Sequence, residues 1–259
     1  MRGNQALTEV LTNVPYAMIR ENIRRIKEFG VGIEIYFDND AIDRVGREDA
    51  KMLSSLLDNE GIVCTVHAPF MDLSPGGVDH TIRSITKDKL KKSIEMANIL
   101  HAKGIVCHGG YNKWFYDGRA QVWLNASLDT WEDVLKEADK DLPVMIENIF
   151  EEEPSTLIEL LGHFEGKGLY FCFDSGHFNL FSKVSVENWL MPLSKKIREM
   201  HLHDNRGASD DHMPIGMGTF PFRELKRLIS RLDGILYTTE IHDQNYAAES
   251  IKRLKEFLS

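Results

Sequence analysis

Short apolar runs alternate with amphipathic segments along almost the whole chain. The runs are rich in β-branched and aromatic residues, as in VGIEIYF at 31–37 and GILYTTEIHD at 234–243, which is typical of buried strands. Between the runs, apolar residues recur every three or four positions over roughly 10–20 residues, a spacing that predicts helices with one face on a core. The chain is therefore predicted to alternate strand and helix without a linker.

This alternation amounts to eight strand–helix units. Strands are predicted within 6–15, 31–37, 61–70, 104–110, 142–150, 169–178, 198–204 and 234–243, and helices over 16–30, 47–60, 81–103, 121–139, 154–165, 185–196, 220–232 and 246–258. The first strand has the weakest pattern. Eight units joined by right-handed crossovers predict an α/β fold, a single (β/α)8 TIM barrel over residues 1–259. The alternative is an open doubly wound sheet. Such sheets usually carry a glycine-rich phosphate-binding loop after the first strand, and no such loop follows LTNVP, which argues against this alternative.

The period of a strand also predicts which side chains share the barrel interior. Successive side chains of a strand point to opposite faces, so residues two apart lie on the same side. Val63 and Thr65 are therefore expected on the side of His67, and Tyr170 and Cys172 on the side of Asp174.

Composition narrows the class of protein. With 42% hydrophobic and 27% charged residues the composition is that of an ordinary soluble globular protein, and no apolar run approaches the ~18 residues of a membrane span. The start MRGNQALTEV lacks the order of a signal peptide, which predicts a cytoplasmic protein.

Cys64, Cys107 and Cys172 lie within strand-like runs, without C-x-x-C spacing, and are predicted to be buried free thiols. A net charge of −9 disfavours nucleic acid as a partner.

Polar side chains stand where six consecutive predicted strands end. They are His67, His108, Glu147, Asp174 with His177, His201 and Glu240, and the loop after the seventh strand adds Asp210 and His212. A lone histidine is often only a packed or surface residue, but the carboxyl ends of barrel strands meet at one mouth, where TIM-barrel function lies. Imidazole and carboxylate donors suit Zn²⁺, Mn²⁺ or Fe²⁺, and four clustered carboxylates repel one another unless cations are present. The sequence therefore predicts a divalent metal centre.

The motifs that carry these residues are VHAPF, VCHGG, IEN, FDSGH, HLHD, DDH before IGMG, and TEIHD. Together they resemble those of the xylose-isomerase-like TIM barrels, the superfamily that joins sugar isomerases and epimerases to endonuclease IV, over nearly the full length. The resemblance is specific for fold and metal site and less so for the reaction.

The resemblance implies two overlapping ligand sets, and so one to three ions. In the epimerase-like branch one metal would be held by Glu147, Asp174, His201 and Glu240, and His177 would contact substrate. In the endonuclease IV branch, which binds three zinc ions, the additional ligands would be His67, His108, His177, Asp210 and His212. Every position of the larger set is filled.

The first functional hypothesis is an enzyme, an isomerase or epimerase of a small sugar or sugar phosphate. Glu147 and Glu240, together with His177, would carry the proton transfer next to a metal-polarised carbonyl. The residues expected to contact substrate are Phe70, Trp114, His203 and Arg206. His203 is expected to act beside the substrate or behind a ligand and not to bind metal itself. The aromatic loop that holds Trp114 has a second interpretation, a lid that packs on its own helix.

Two alternatives remain. The filled ligand set favours an endonuclease IV-like multi-zinc phosphodiesterase, whereas the mostly acidic loop DNDAIDRVGRED at 38–49 and the scarcity of basic residues near the predicted mouth argue against a DNA substrate. The third hypothesis is a barrel that binds metal without catalysis.

Overall fold

A closed barrel of eight parallel strands forms the centre of the protein, as seen in a computed structural model that describes residues 10–259. The strands are β1 Val10–Pro15, β2 Gly32–Tyr36, β3 Cys64–His67, β4 Ile105–His108, β5 Val144–Glu147, β6 Leu169–Asp174, β7 Ile197–His201 and β8 Leu236–Thr239. Each strand pairs with the next in the sequence, and β8 closes the ring on β1. The predicted TIM barrel is confirmed.

Ten helices surround the barrel in the described part of the chain. They are α1 Ile19–Phe29, α2 Asn39–Arg44, α3 Arg47–Glu60, α4 His80–Ile99, α5 Ala120–Val134, α6 Ser155–His163, α7 Ser175–Phe181, α8 Val186–Leu193, α9 Phe222–Ile229 and α10 Ala247–Leu258. Short 3-10 turns lie at Tyr16–Met18, Leu135–Glu137 and Gln244–Tyr246. Among the described helices, none combines the length and the apolar character that crossing a membrane requires.

The predicted elements are present, with shifted ends. The first strand was expected within 6–15 and occupies Val10–Pro15, while positions 6–9 of that expectation lie outside the described residues. The first helix, expected over 16–30, begins as a 3-10 turn and ends at Gly30, whose φ of 59° is the left-handed conformation that closes helices without a Cβ clash.

Two helices, α2 and α7, were missed by the hydrophobic pattern. The sixth strand was predicted to run to residue 178, but it ends at Asp174 because that side chain accepts a hydrogen bond from the backbone N–H of His177 and caps α7. Asp38 caps α2 in the same way, through the N–H of Ala41. A capping carboxylate starts a helix whatever apolar residues precede it.

Two apolar layers hold the fold together. The larger lies between strands and helices, and a smaller one fills the barrel interior with Val106, Met145 and Cys172, against which Tyr170 packs. Tyr170 and Cys172 thus share the side of Asp174 as predicted, and Thr65, whose hydroxyl lies 3.3 Å from the buried Glu199 carboxylate, shares that of His67. All three cysteines are buried and free, which confirms that prediction. This interior layer is apolar, whereas the predicted metal ligands lie at the mouth of the barrel.

Candidate metal centre at the mouth of the barrel

A cavity of about 760 Å³ opens at the carboxyl ends of the strands. Seven of the nine predicted metal ligands line it, namely His67, His108, Glu147, His177, Asp210, His212 and Glu240. The other two, Asp174 and His201, are fully buried behind them. Residues that are far apart in sequence therefore meet at one site, because their strands end at the same rim.

Four of these residues form a compact donor group, which we call the four-residue group: Glu147, Asp174, His201 and Glu240. One ligand atom of each lies within 4.8 Å of the corresponding atom of every other. Nδ1 of His201 is the common neighbour, 3.2 Å from Glu147 Oε1, 3.4 Å from Glu240 Oε1 and 3.9 Å from Asp174 Oδ2. Three carboxylates and one imidazole converging on a volume of this size suit a divalent cation.

The second oxygen of Glu147 faces two further histidines. Its Oε2 lies 3.2 Å from Nε2 of His67 and 3.0 Å from Nε2 of His108. Glu147 therefore connects the four-residue group to the wall of the cavity formed by β3 and β4.

Another donor group consists of His203, Asp210 and His212 and adjoins the four-residue group. Oε2 of Glu240 lies 3.4 Å from Nε2 of His203 and 3.2 Å from Nε2 of His212. Nδ1 of His203 and Oδ1 of Asp210 are buried without a hydrogen-bond partner among the described residues. They stand 3.9 Å apart, too far to bond each other. Two unpaired buried donor atoms facing each other at this separation fit ligands of a cation, since buried polar atoms are otherwise paired.

Backbone carbonyls orient three of the histidines. Nδ1 of His67, His177 and His212 donates to the carbonyl oxygen of Ala68, Asn148 and Asp210, at 2.8, 3.1 and 3.0 Å. Each bond leaves Nε2 free to face a carboxylate: Glu147, Asp210 and Glu240, respectively. Metal-binding histidines are fixed by this type of bond on the other ring nitrogen. The donor set therefore fits one or more divalent ions in both its chemistry and its orientation.

The charges of the site are strongly coupled. Burial would raise the pKa of Glu147 and Glu240, but the nearby His201 and the histidine beside each carboxylate hold both pKa values well below the usual range. Burial would lower the pKa of His201, but the surrounding anionic groups raise it well above its ordinary value. Both glutamates are thus carboxylates at neutral pH.

Hydrogen bonds fix the strand ends that carry the ligands. The Asn148 side chain donates to the backbone carbonyl of Asp174 at 3.0 Å and accepts from its N–H at 2.8 Å, which joins the ends of β5 and β6. In the next loop Asp204 accepts from the backbone N–H groups of Gly216, Gly218 and Phe220. This folds the segment with Asp210 and His212 back over the mouth.

Of the four residues expected to contact substrate, the structure brings one to the cavity lining and leaves three outside it. Phe70 lines the cavity and stacks on His108 with ring centroids 4.2 Å apart. Trp114 does not, because its side chain is 80% exposed on the outer loop. Arg206 is also exposed and outside the cavity lining, away from the position expected of a substrate contact. His203, which was expected beside the substrate or behind a ligand, is fully buried, and its Nε2 lies 2.9 Å from Oδ2 of Asp174, behind a member of the four-residue group.

The alternative interpretation of the aromatic loop is the correct one for its inner part. Tyr111, Tyr116 and Trp123 are buried and pack on one another, with ring centroids of Tyr111 5.9 Å from Tyr116 and 5.2 Å from Trp123. The loop is held by its own helix, and it presents no aromatic face to the cavity.

Sequence reasoning missed two buried carboxylates below the four-residue group. Glu34 on β2 places Oε2 3.0 Å from Nε2 of His201 and accepts from Asn13 through Oε1. Glu199 on β7 accepts from the hydroxyl groups of Thr65 and Thr238, and burial together with the charge of Glu34 raises its pKa to about 7. The sequence signal that could have identified Glu199 is the two-residue period of a strand, which puts it on the same face as His201.

Comparison with known proteins places these residues in a family. The family described as Xylose isomerase-like TIM barrel matches residues 23–257. An uncharacterized protein of Methanocaldococcus jannaschii, MJ1311, is 29% identical over 224 residues, which are 82% of this chain and 75% of that protein.

Structural neighbours include sugar epimerases. A crystal structure of a D-tagatose 3-epimerase-like protein is 25% identical, with a TM-score of 0.82, and the match covers 96% of this chain and 97% of that one. The structure of 3-keto-D-glucoside 4-epimerase, YcjR, from E. coli is 15% identical, with a TM-score of 0.76 and coverage of 96% and 98%. At 15% identity, the likeness to 3-keto-D-glucoside 4-epimerase concerns the fold alone.

Proposed function

The chain belongs to the xylose isomerase-like TIM barrel family, and we propose that it is a divalent-metal-dependent isomerase or epimerase of a small sugar. The proposed reaction moves a proton at a carbon next to a carbonyl group. The observation that carries the proposal is the four-residue group, whose donor atoms lie within 4.8 Å of one another at the base of an open cavity. The likeness to a D-tagatose 3-epimerase-like protein supports the same class of reaction.

Glu147, Asp174, His201 and Glu240 would hold the ion, and Zn²⁺, Mn²⁺ and Fe²⁺ all suit such donors. A bound divalent ion acts as a Lewis acid that polarises the carbonyl oxygen of a substrate and acidifies the neighbouring C–H bond.

Glu147 and Glu240 are the residues placed to move the proton. Both line the cavity, one at the end of β5 and the other directly after β8, three strands apart around the ring. One carboxylate takes the proton from carbon and becomes a carboxylic acid, which can return this proton to the neighbouring carbon to give an isomer. An epimer requires that the other glutamate first takes up a proton from solvent and donates it to the opposite face, after which the first glutamate releases its proton to solvent.

His177 stands beside these carboxylates on the cavity wall. Its Nδ1 lies 3.3 Å from Glu147 Oε1, and its Nε2 lies 3.4 Å from Asp210 Oδ2. An imidazole at this point can donate to a substrate hydroxyl and hold the reacting carbon next to Glu147.

Replacing each glutamate by glutamine tests the roles of Glu147 and Glu240. Glu147→Gln and Glu240→Gln keep the side-chain volume and remove the base, so we expect the rate of ketose conversion to fall by about 10²–10⁴. Product formation is followed by NMR, with the metal content of each variant measured alongside. Glu159→Gln, on the exposed face of α6, is the matched control and should keep the wild-type rate. A wild-type rate in Glu147→Gln or Glu240→Gln would contradict the assignment.

A second candidate, an endonuclease IV-like phosphodiesterase, is supported by the donors beyond the four-residue group. His67 and His108 face Glu147, and His203, Asp210 and His212 form a separate group. Clustered ions hold the attacking and leaving oxygens of a phosphodiester.

Metal stoichiometry separates the two candidates. Elemental analysis of protein purified without chelator should give one ion per chain for the isomerase or epimerase and two or three for the phosphodiesterase. In the second case the protein would also cleave an abasic-site oligonucleotide, and His67→Ala or His108→Ala would abolish that cleavage.

A further inference from the structure

Apolar side chains line the cavity beside the donor groups, and one of them, Phe70, stacks directly on His108. Seven side chains form this surface, which we call the apolar wall: Phe70, Met71 and Leu73 after β3, Ile149 and Phe150 after β5, and Leu180 and Phe181 on α7. The rings of Phe150 and Phe181 pack edge to face with centroids 5.2 Å apart. Phe150 is 42% exposed although it is a large apolar residue, so it offers free surface to a ligand.

Away from the donor groups, the cavity offers no cationic side chain to an anionic ligand. Among the described residues no lysine or arginine lines it, while Asp72 and Asp210 do. The basic residues nearest in sequence are engaged or turned away: Lys113 pairs with Glu152 at 2.8 Å and lies over the ring of Trp114, and Arg206 is exposed outside the cavity. Phosphate groups are usually held by arginine, lysine or free backbone N–H groups.

The size of the cavity exceeds the needs of a single sugar ring. Its volume of about 760 Å³ falls among pockets of roughly 300–1,000 Å³ that bury drug-sized ligands, in which apolar walls supply contact area and a few polar groups fix orientation. Here most of the polar groups belong to the donor groups, although Asp72 lies between Met71 and Leu73 of the apolar wall in the sequence. A sugar seated at the donor groups leaves the apolar wall uncovered unless the substrate carries a further group.

We propose that the substrate is an uncharged keto sugar with an aryl or alkyl substituent, whose ring lies over the four-residue group and whose substituent packs against the apolar wall. Sugar phosphates are not substrates, because a phosphate remote from the reacting carbon would be buried against Phe70, Phe150 and Phe181 without a counter-charge. This inference rests on the proposed function for the reaction. The predicted preference for an apolar substituent over a phosphate can be tested by binding alone, without catalysis.

Three matched probes test the inference: D-fructose, 6-O-benzyl-D-fructose and D-fructose 6-phosphate, which differ only at O6. Deuterium incorporation from solvent is measured with the metal-loaded protein, and binding of each probe is measured by calorimetry. Burial of a phenyl ring predicts that the benzyl ether has a kcat/KM and an affinity at least about tenfold above those of the phosphate. An equal or greater kcat/KM for the phosphate would overturn the inference.

Measuring both deuterium exchange and binding allows the inference and the proposed function to fail independently. If none of the probes exchanges deuterium, the proposed function fails for this class, and the calorimetric order of the benzyl ether and the phosphate still decides the inference. Tighter binding of the benzyl ether supports it, and equal or tighter binding of the phosphate contradicts it.

A variant of the apolar wall locates the substituent. Phe150→Ala should raise KM and Kd for the benzyl ether by about tenfold and leave those for D-fructose unchanged, because only the substituent reaches this ring. Phe115→Ala is the matched control, since Phe115 is 77% exposed and does not line the cavity. An equal change for both probes in Phe150→Ala, or no change for either, would contradict the assignment.

Discussion

His201 connects two layers of carboxylates. Its Nδ1 faces Glu147 and Glu240 in the four-residue group, and its Nε2 lies 3.0 Å from Oε2 of Glu34 in the layer below. A carboxylate that accepts from one ring nitrogen fixes the tautomer and makes the other nitrogen a stronger ligand. Glu34 is therefore a positioning residue for the metal centre.

Loss of the Glu34 charge should weaken metal binding without unfolding the protein. We expect Glu34→Gln to lower metal affinity by about 10–100-fold, since the imidazole loses its anionic partner. Competition with a chromophoric chelator measures the affinity, and the thermal unfolding of the metal-free protein checks the fold. The control is Glu21→Gln on the exposed face of α1. An affinity equal to that of this control would show that Glu34 has only a structural role.

The sequence predicted the position of the ligand residues better than that of the expected substrate contacts. All nine predicted ligands surround or underlie one cavity, and those at strand ends do so because a strand end and a two-residue period determine where a side chain points. Asp210 and His212 reach the cavity because the loop after β7 folds back on Asp204. Trp114 and Arg206 follow strands by several residues, where the backbone turns freely, and their side chains point outward. Glu34 was missed because it interrupts an apolar run in the middle of a strand, away from the rim.

The loop between β7 and α9 is the element that completes the site. Asp204 binds three of its backbone N–H groups, and the close packing around Gly218 leaves no room for a side chain. A Cβ at Gly218 would lie 2.1 Å from the carbonyl oxygen of Asn205 and 2.4 Å from Oδ1 of Asp204. The glycines of IGMG thus allow the return of the chain that brings His212 to Glu240.

Gly218→Ala should displace this loop. We expect the free energy of unfolding to fall by about 1–3 kcal/mol, as for other overpacked sites, and the unfolding temperature to fall by several degrees for a protein of this size. Gly162→Ala is the matched control, because nothing lies within 4 Å of the added Cβ in α6 and alanine favours a helix. If both variants unfold at the same temperature, the packing around Gly218 is not what holds the loop.

Elements were easier to predict than their ends. The strands and the eight long helices follow hydrophobic periods that extend over many residues, whereas α2 and α7 each start from a single capping aspartate, Asp38 and Asp174. In α7 that aspartate is also a member of the four-residue group, so one residue both ends a strand and joins the site.

The three cysteine thiols lie in the apolar layers of the molecule, away from the polar mouth of the barrel. Burial raises the pKa of Cys64 to about 12 and that of Cys107 further still. The reactive thiolate is therefore nearly absent from the folded protein between about pH 7 and 9, where an exposed thiol with a pKa of about 8.5 ionises.

Thiol labelling of the native protein should be slow throughout that window. All three cysteines should react with Ellman's reagent only after denaturation in urea. A labelling rate of the folded protein as high as that of the denatured protein at the same pH would show that at least one thiol is accessible.

The proposed function requires that the mouth of this barrel moves a proton at carbon with the help of a bound divalent ion. The most direct test is solvent deuterium incorporation into a panel of uncharged ketoses, with the wild-type protein in D₂O. We predict one deuterium at the carbon next to the carbonyl, lost when the ion is removed by a chelator and restored when Zn²⁺, Mn²⁺ or Fe²⁺ is added back. No exchange into any ketose, from a preparation that cleaves an abasic-site oligonucleotide in a manner dependent on His67 and His108, would contradict the claim.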